Sequence, residues 1–297
     1  MDAPRREIGM KRIRACAQPF SALLAASLIL AFGPPVGAQQ KEYVHVDLLA
    51  DVQAIEPGKP FRLGVLFTLP PHAHIYWRFP GSSGLATGIE WTLPEGFTVS
   101  ELGWPNPARF VIEEIDDVTY GYETEVLLFA NVTPPSDFNS VEPIAISADP
   151  YWLVCLESGQ CIPESKTVRL ELPGGDAKPS DRAAAFEAYA SRVPVSLNDT
   201  MPISVALADA EAGVLRFEAK TPWRFVLDES GTPARFFPEI GGPWDLSPPD
   251  SAKGGGHTAL DFRCADKRPG RVSGAATLPM RNPATGEKRV FYVSLNE

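Results

Sequence analysis

Hydrophobic and polar positions alternate along most of the chain. Val44, Val46 and Leu48 alternate with Tyr43, His45 and Asp47, and Phe61, Leu63, Val65 and Phe67 repeat the pattern. Val168, Leu170 and Leu172 alternate with Arg169 and Glu171 just before Pro173-Gly174-Gly175. A period of two puts successive side chains on opposite faces of a strand, so each run predicts a half-buried strand. Residues 126–132 (Val-Leu-Leu-Phe-Ala-Asn-Val) are continuously apolar over five positions and predict a strand covered on both faces. Thirty prolines and 24 glycines cut the chain into short segments, which excludes long helices and predicts β-sandwiches. Residues 182–191 (Arg-Ala-Ala-Ala-Phe-Glu-Ala-Tyr-Ala-Ser) form the one good helical stretch, with Ser180 or Asp181 as its cap. Strands resume at 203–207, 214–219, 224–228, 234–237, 259–264, 272–278 and 289–295. The expected organisation is all-β: one sandwich domain over 39–174, a linker with a short helix over 175–200, and a second sandwich over 201–297. Residues 251–256 (Ser-Ala-Lys-Gly-Gly-Gly) read as a loop.

The N-terminus changes how the charge is counted. Arg5, Arg6, Lys11, Arg12 and Arg14 precede an apolar run over 21–32, and Val36-Gly37-Ala38 follows as a small-residue cleavage site. Residues 1–38 therefore read as a secretory signal peptide, whose apolar part is too short for a membrane span. Its removal takes the net charge from −10 to about −13 and leaves about 259 residues. An acidic exported chain is not built to bind nucleic acid. Later stretches have no apolar run of membrane-spanning length.

Of the four cysteines, Cys16 leaves with the signal, and export to an oxidising compartment favours a disulfide among the rest. Residues 151–163 read Tyr-Trp-Leu-Val-Cys-Leu-Glu-Ser-Gly-Gln-Cys-Ile-Pro: a strand, a Ser-Gly turn and a returning strand, with a thiol on each arm. Opposed residues of an antiparallel pair lie within disulfide range, so Cys155 and Cys161 are expected to be bonded. A loop this short gains only about 2 kcal/mol from cross-linking, against nearly 5 for a loop of about 100 residues. Both a structural staple and a redox pair fit the spacing, and the small gain favours redox work. Cys264, in the strand over 259–264, reads as a buried small apolar residue, with pairing to another chain or a second redox role as alternatives.

Several stretches of the first domain together resemble the DsbD-like periplasmic domain. They are residues 74–85 (His-Ile-Tyr-Trp-Arg-Phe-Pro-Gly-Ser-Ser-Gly-Leu), Trp91 to Phe97 with Pro94 and Gly96, and Trp104-Pro105 with Pro107, Arg109 and Phe110. Residues 120–128 and Trp152-Leu153-Val154-Cys155 with Cys161-Ile162-Pro163 continue the match in the same order, over roughly 42–172. The second half is similar to the additional β-domain of the ScsB-type branch, with residues 235–239 (Arg-Phe-Phe-Pro-Glu) as its best marker.

The resemblance implies immunoglobulin-like sandwiches and a thiol–disulfide relay in the periplasm of a Gram-negative bacterium. Electrons would come from a separate membrane thiol transporter, since this chain has neither a membrane electron-transfer domain nor a C-x-x-C. They would pass to thioredoxin-like or disulfide isomerase proteins, or to cytochrome c maturation factors. The C-x5-C pair, Cys155 and Cys161, would carry the exchange as a protein-disulfide reductase, with no cofactor beyond the disulfide. A cap loop carrying acidic and aromatic residues shields that pair in the family, and residues 116–121 correspond to it. Asp117 and Tyr120 match; Thr119 stands where an aromatic is usual, so Tyr122 is a further candidate, with Trp152 in support. The alternative is a binding or assembly module, linked to cytochrome c maturation or copper tolerance, whose disulfide is structural. His72-Ala73-His74 could suit a metal, but the four histidines are not clustered, and no metal site is expected. No nucleophile-elbow, zincin or phosphate-loop pattern occurs.

Overall fold

The computed structural model describes residues 41–112, 117–138, 142–209, 213–227, 233–239, 244–246, 256–264 and 272–296. The expected signal peptide, Asp116 and most of the expected loop over 251–256 lie outside the described residues. Residues 42–297 form one compact unit, whose described residues hold two β-sandwiches and one helix.

Eleven strands build the first sandwich: β1 (His45–Ala50), β2 (Phe61–Thr68), β3 (His74–Gly81), β4 (Gly88–Thr92), β5 (Thr98–Val99), β6 (Ala108–Ile112), β7 (Asp117–Glu123), β8 (Glu125–Thr133), β9 (Ile144–Cys155), β10 (Cys161–Ser165) and β11 (Val168–Leu172). One sheet runs β1-β2-β8-β5 and the other β10-β9-β3-β7-β6, with β11 and β4 also paired to β9. The long β9 therefore has β10 and β11 on one edge and β3 and β4 on the other. Its even-numbered residues, Ile144 to Val154, are all buried, whereas Ala145 to Leu153 at odd positions are exposed or half-exposed. This is the alternation expected of a sheet with one face on the core.

Phe61, Leu63, Val65 and Phe67 of β2 point into the core as their alternation requires. Val126 to Ala130 are buried on both faces because helix α1 (Ala183–Ala190) lies over β8. Phe186 of α1 meets Phe129 edge-on at 6.0 Å, and the Tyr189 hydroxyl donates to Glu125 at 2.9 Å. The helix begins at Arg182 without a side-chain cap. Ser180 instead accepts the Arg182 N–H at 3.1 Å and donates its hydroxyl to the Ala50 carbonyl at 2.7 Å, tying the helix entry to β1.

The second sandwich uses β12 (Val195–Ser196), β13 (Ile203–Asp209), β14 (Val214–Ala219), β15 (Arg224–Phe225), β16 (Arg235–Pro238), β17 (Trp244–Leu246), β18 (Ala259–Cys264), β19 (Ser273–Arg281) and β20 (Lys288–Asn296). Its sheets run β12-β20-β19-β15, with β16 also on β19, and β13-β14-β18-β17. β12 falls within the segment read as linker and pairs parallel to β20. Phe217, Phe225, Phe236, Phe262, Leu278 and Met280 fill the core between these sheets. Cys264 is buried at the end of β18, opposite Trp244, outside the disulfide. Among the described residues, no helix is long and apolar enough to cross a membrane.

Candidate active site

Cys155 ends β9 and Cys161 begins β10, directly opposed, with Cα atoms 4.0 Å apart and their sulfurs bonded. The turn between them closes through Leu156 N–H to the Gln160 carbonyl and Gly159 N–H to the Leu156 carbonyl, both at 2.9 Å. Gly159 takes φ +80, a conformation that costs a residue with a Cβ, which is why the Ser-Gly pair sits here. On the other edge of β9, Cys155 is opposed by His74 of β3, and His74 by Glu123 of β7. One row across the sheet thus reads Cys161, Cys155, His74, Glu123 on one face.

That face looks away from the core, yet Cys155 is only 4% exposed while Cys161 is exposed. The cover comes from β3 and β6. The Tyr76 hydroxyl lies 3.1 Å from Cys155 Sγ; with the sulfur in a disulfide, the phenol is the donor. The His74 ring meets Tyr76 edge-on at 5.2 Å and stacks on Phe110 at 4.5 Å. In the loop over 82–87, Gly84 lies on the Tyr76 ring: a Cβ there would come within 2.3 Å of it, and Gly84 itself has φ +96. Thr87 donates to the Tyr76 carbonyl at 2.7 Å, and Ser83 donates to the Asp117 carboxylate at 2.7 Å.

Burial of Tyr76, helped by the nearby Asp117 charge, raises the phenol's pKa despite Ser83, so it remains a proton donor at neutral pH. Burial lowers the pKa of His74, favouring the neutral imidazole.

Of the residues expected around the pair, the structure brings together Cys155, Cys161 and, through Ser83, Asp117. Tyr120, Tyr122 and Trp152 lie in the core of the first sandwich, on the opposite face. Tyr122 is buried and donates its hydroxyl to the Pro105 carbonyl at 2.6 Å. Burial raises the pKa of Tyr120 to about 12 and holds that of Tyr122 well above its ordinary value. Trp152 packs edge-on against Phe67 at 5.4 Å and donates its indole N–H to Glu164 at 3.0 Å. The buried Glu164 carboxylate also accepts the N–H groups of Tyr43 at 2.8 Å and Val44 at 3.3 Å. Trp152 and Glu164 brace the hairpin from beneath. The cover itself is Tyr76, His74, Phe110 and the loop over 82–87, which the reading from sequence did not assign. Among the described residues no cluster of three or more His, Cys, Asp or Glu is arranged to hold a metal ion.

The chain shares its fold with the N-terminal periplasmic domain of ScsB from Proteus mirabilis, at a TM-score of 0.55 and 20% identity, covering 87% of this chain and 96% of that one. BcpA, the major pilin subunit of Bacillus cereus, aligns over 86% of this chain and 67% of its own, but with a TM-score of 0.28 and 10% identity. No curated protein matches the chain at a significant level. Residues 40–173, which contain the cysteine pair and its cover, match the family model described as thiol:disulfide interchange protein DsbD, N-terminal. The first sandwich of this chain thus matches the DsbD N-terminal family of thiol:disulfide interchange proteins.

Proposed function

We propose that the chain is a periplasmic thiol–disulfide interchange protein that relays electrons through Cys155 and Cys161. It would take them from a separate membrane thiol transporter and hand them to thioredoxin-like or disulfide isomerase proteins. The observation that carries this reading is the asymmetry of the pair, with Cys161 exposed and Cys155 buried under the Tyr76 hydroxyl. A partner thiolate attacks Cys161 Sγ, the Cys155–Cys161 bond breaks, and Cys155 leaves as a thiolate that accepts the Tyr76 hydrogen bond. The partner's second thiolate then attacks the partner sulfur of the mixed disulfide and releases Cys161. The partner loses two electrons and this chain gains them; the reverse sequence delivers them to an acceptor disulfide. Hydrogen bonding to the departing sulfur lowers the leaving group's basicity, which speeds the first step.

Equilibrating the protein in dithiothreitol or glutathione buffers tests the reading. The expected reduction potential lies above about −300 mV, with the fold retained on reduction. A value at or below that limit, with unfolding on reduction, would identify a staple and a binding module instead.

A further inference from the structure

The second sandwich grips the segments that carry the cover. β3 leaves its ladder with β7 after Tyr76 and rejoins it at Gly81, so residues 77–80 bulge out of the pairing. Trp77 is fully buried and faces Phe237 of β16 at 6.4 Å. Arg78 forms an ion pair with Glu239, whose side chain is only 12% exposed and whose second oxygen accepts the Ser273 hydroxyl at 2.6 Å. The Arg78 guanidinium also lies over the rings of Trp77 and Phe79, at 5.3 Å from each. This gripped bulge is the covalent link between Tyr76, the donor to Cys155, and the loop that lies on the Tyr76 ring.

β6 is held in the same way. Arg109 pairs with Asp245 of β17 at 3.0 Å, and the next residue, Phe110, stacks on His74. Asn106, two residues before β6, donates to the Thr277 hydroxyl on β19 at 2.7 Å. Tyr120, paired with Arg109 across β6 and β7, packs edge-on against Phe237 at 5.6 Å. Phe237 and Ala275 pack in the core of the first sandwich, while their neighbours Phe236 and Ala276 pack in the core of the second.

We infer that the second sandwich is a positioning clamp for the exchange site: Glu239 and Asp245, acting through Arg78 and Arg109, hold the Tyr76 hydroxyl on Cys155 Sγ and so set how fast the disulfide is reduced. This deepens the exchange reading and rests on it. Hydrogen bonds weaken steeply with misalignment, so a donor on a loosened tether stabilises the departing thiolate less.

The test uses the mature full-length chain carrying Glu239→Gln and Asp245→Asn together. It reads the rate of disulfide reduction by dithiothreitol and the pKa of the Cys155 thiol in the reduced protein. Reduction should slow by about three- to ten-fold and the thiol pKa should rise, because a charge-assisted hydrogen bond is weakened. Tyr76→Phe should slow reduction at least as much. Adding the clamp substitutions to Tyr76→Phe should then slow it no further, since they act through the missing hydroxyl. The charge swap Arg78→Glu with Glu239→Arg should recover part of the rate.

An unchanged or faster rate in the folded variants would overturn the clamp, as would a full clamp effect persisting without the Tyr76 hydroxyl. If the double variant does not fold, Asp245→Asn alone carries the test with the same sign, because that side chain is 63% exposed. The dithiothreitol rate needs no protein partner. A wild-type disulfide too stable for exchange would therefore sink the relay while leaving the clamp's rate difference readable. Equal rates would sink the clamp and leave the relay standing.

Discussion

The two ends of the outer face of β9 differ sharply. From Ala145 to Leu153 the outward residues are exposed or half-exposed, and no covering layer is needed. One step further along the same face, Cys155 is buried to 4%. The strand is the same and the parity is the same, so the difference comes from what lies above it: Tyr76, the His74–Phe110 stack and the loop over 82–87. A staple needs no such cover, because its bond is equally constraining in water. A sulfur that must leave as a thiolate gains from a donor fixed at 3.1 Å in a site that excludes water.

The largest effect expected from this contrast is in the single-cysteine variants. With Cys155→Ser, the exposed Cys161 thiol should react readily with an aromatic disulfide reagent and form a lasting mixed disulfide. With Cys161→Ser, the buried Cys155 thiol should react at least about ten-fold more slowly, since its reaction waits on opening of the cover. Thiol-labelling kinetics in the folded proteins decide it. Comparable rates would mean that the cover does not restrict access. Either variant should lose about 2 kcal/mol of stability, the share of so short a loop.

Beneath the same hairpin, Glu164 offers the opposite kind of residue, one that braces without touching the sulfurs. It accepts the Trp152 indole N–H and two backbone N–H groups. Glu164→Ala strands those donors in a buried setting and should cost about 2–4 kcal/mol in denaturant unfolding. The reduction potential, measured where the variant is folded, should move little. A shift of more than about 30 mV would show that the two faces of the hairpin are not separable.

How much of this was legible in the chain depends on whether the signal was local. Period two predicts strands that the structure contains, and the apolar run at 126–130 lies covered on both faces as its composition predicts. The hairpin pairing followed from Ser158-Gly159 between the cysteines, and Cys155 and Cys161 are opposed and bonded. Faces were harder to read than elements. Trp152 stands three residues from Cys155 on one strand, an odd separation that sends it to the core, so a parity count alone removes it from the sulfur's side. The same count places His74 and Tyr76 together, but nothing local sets that pair beside Cys155, 79 residues away. The Phe236-Phe237 pair was visible as a family marker. Its use as a bridge between two cores depends on a packing of sandwiches that no spacing encodes.

The smallest expected effect, in pH dependence, sharpens the contrast from the side of His74. Burial beside Cys155, between Phe110 and Tyr76, lowers this imidazole's folded pKa, whereas in the unfolded chain it titrates near its ordinary value of about 6.5. At pH values well above that, both states hold His74 neutral and it adds no pH dependence. As pH falls through the unfolded value, the unfolded chain takes up a proton that the folded site resists, and stability declines. The decline stops once pH drops below the folded pKa, where both states are charged. His74→Phe keeps an aromatic ring on Phe110 and removes the titration, so it should flatten the stability profile between neutral pH and the folded pKa. Chemical denaturation across pH 5–8 reads the slope, expected to be a fraction of the roughly 1.4 kcal/mol per pH unit that one full proton difference gives. An identical slope in the variant would mean that protonated His74 finds room at the site, and that the cover over Cys155 is wetter than its burial implies.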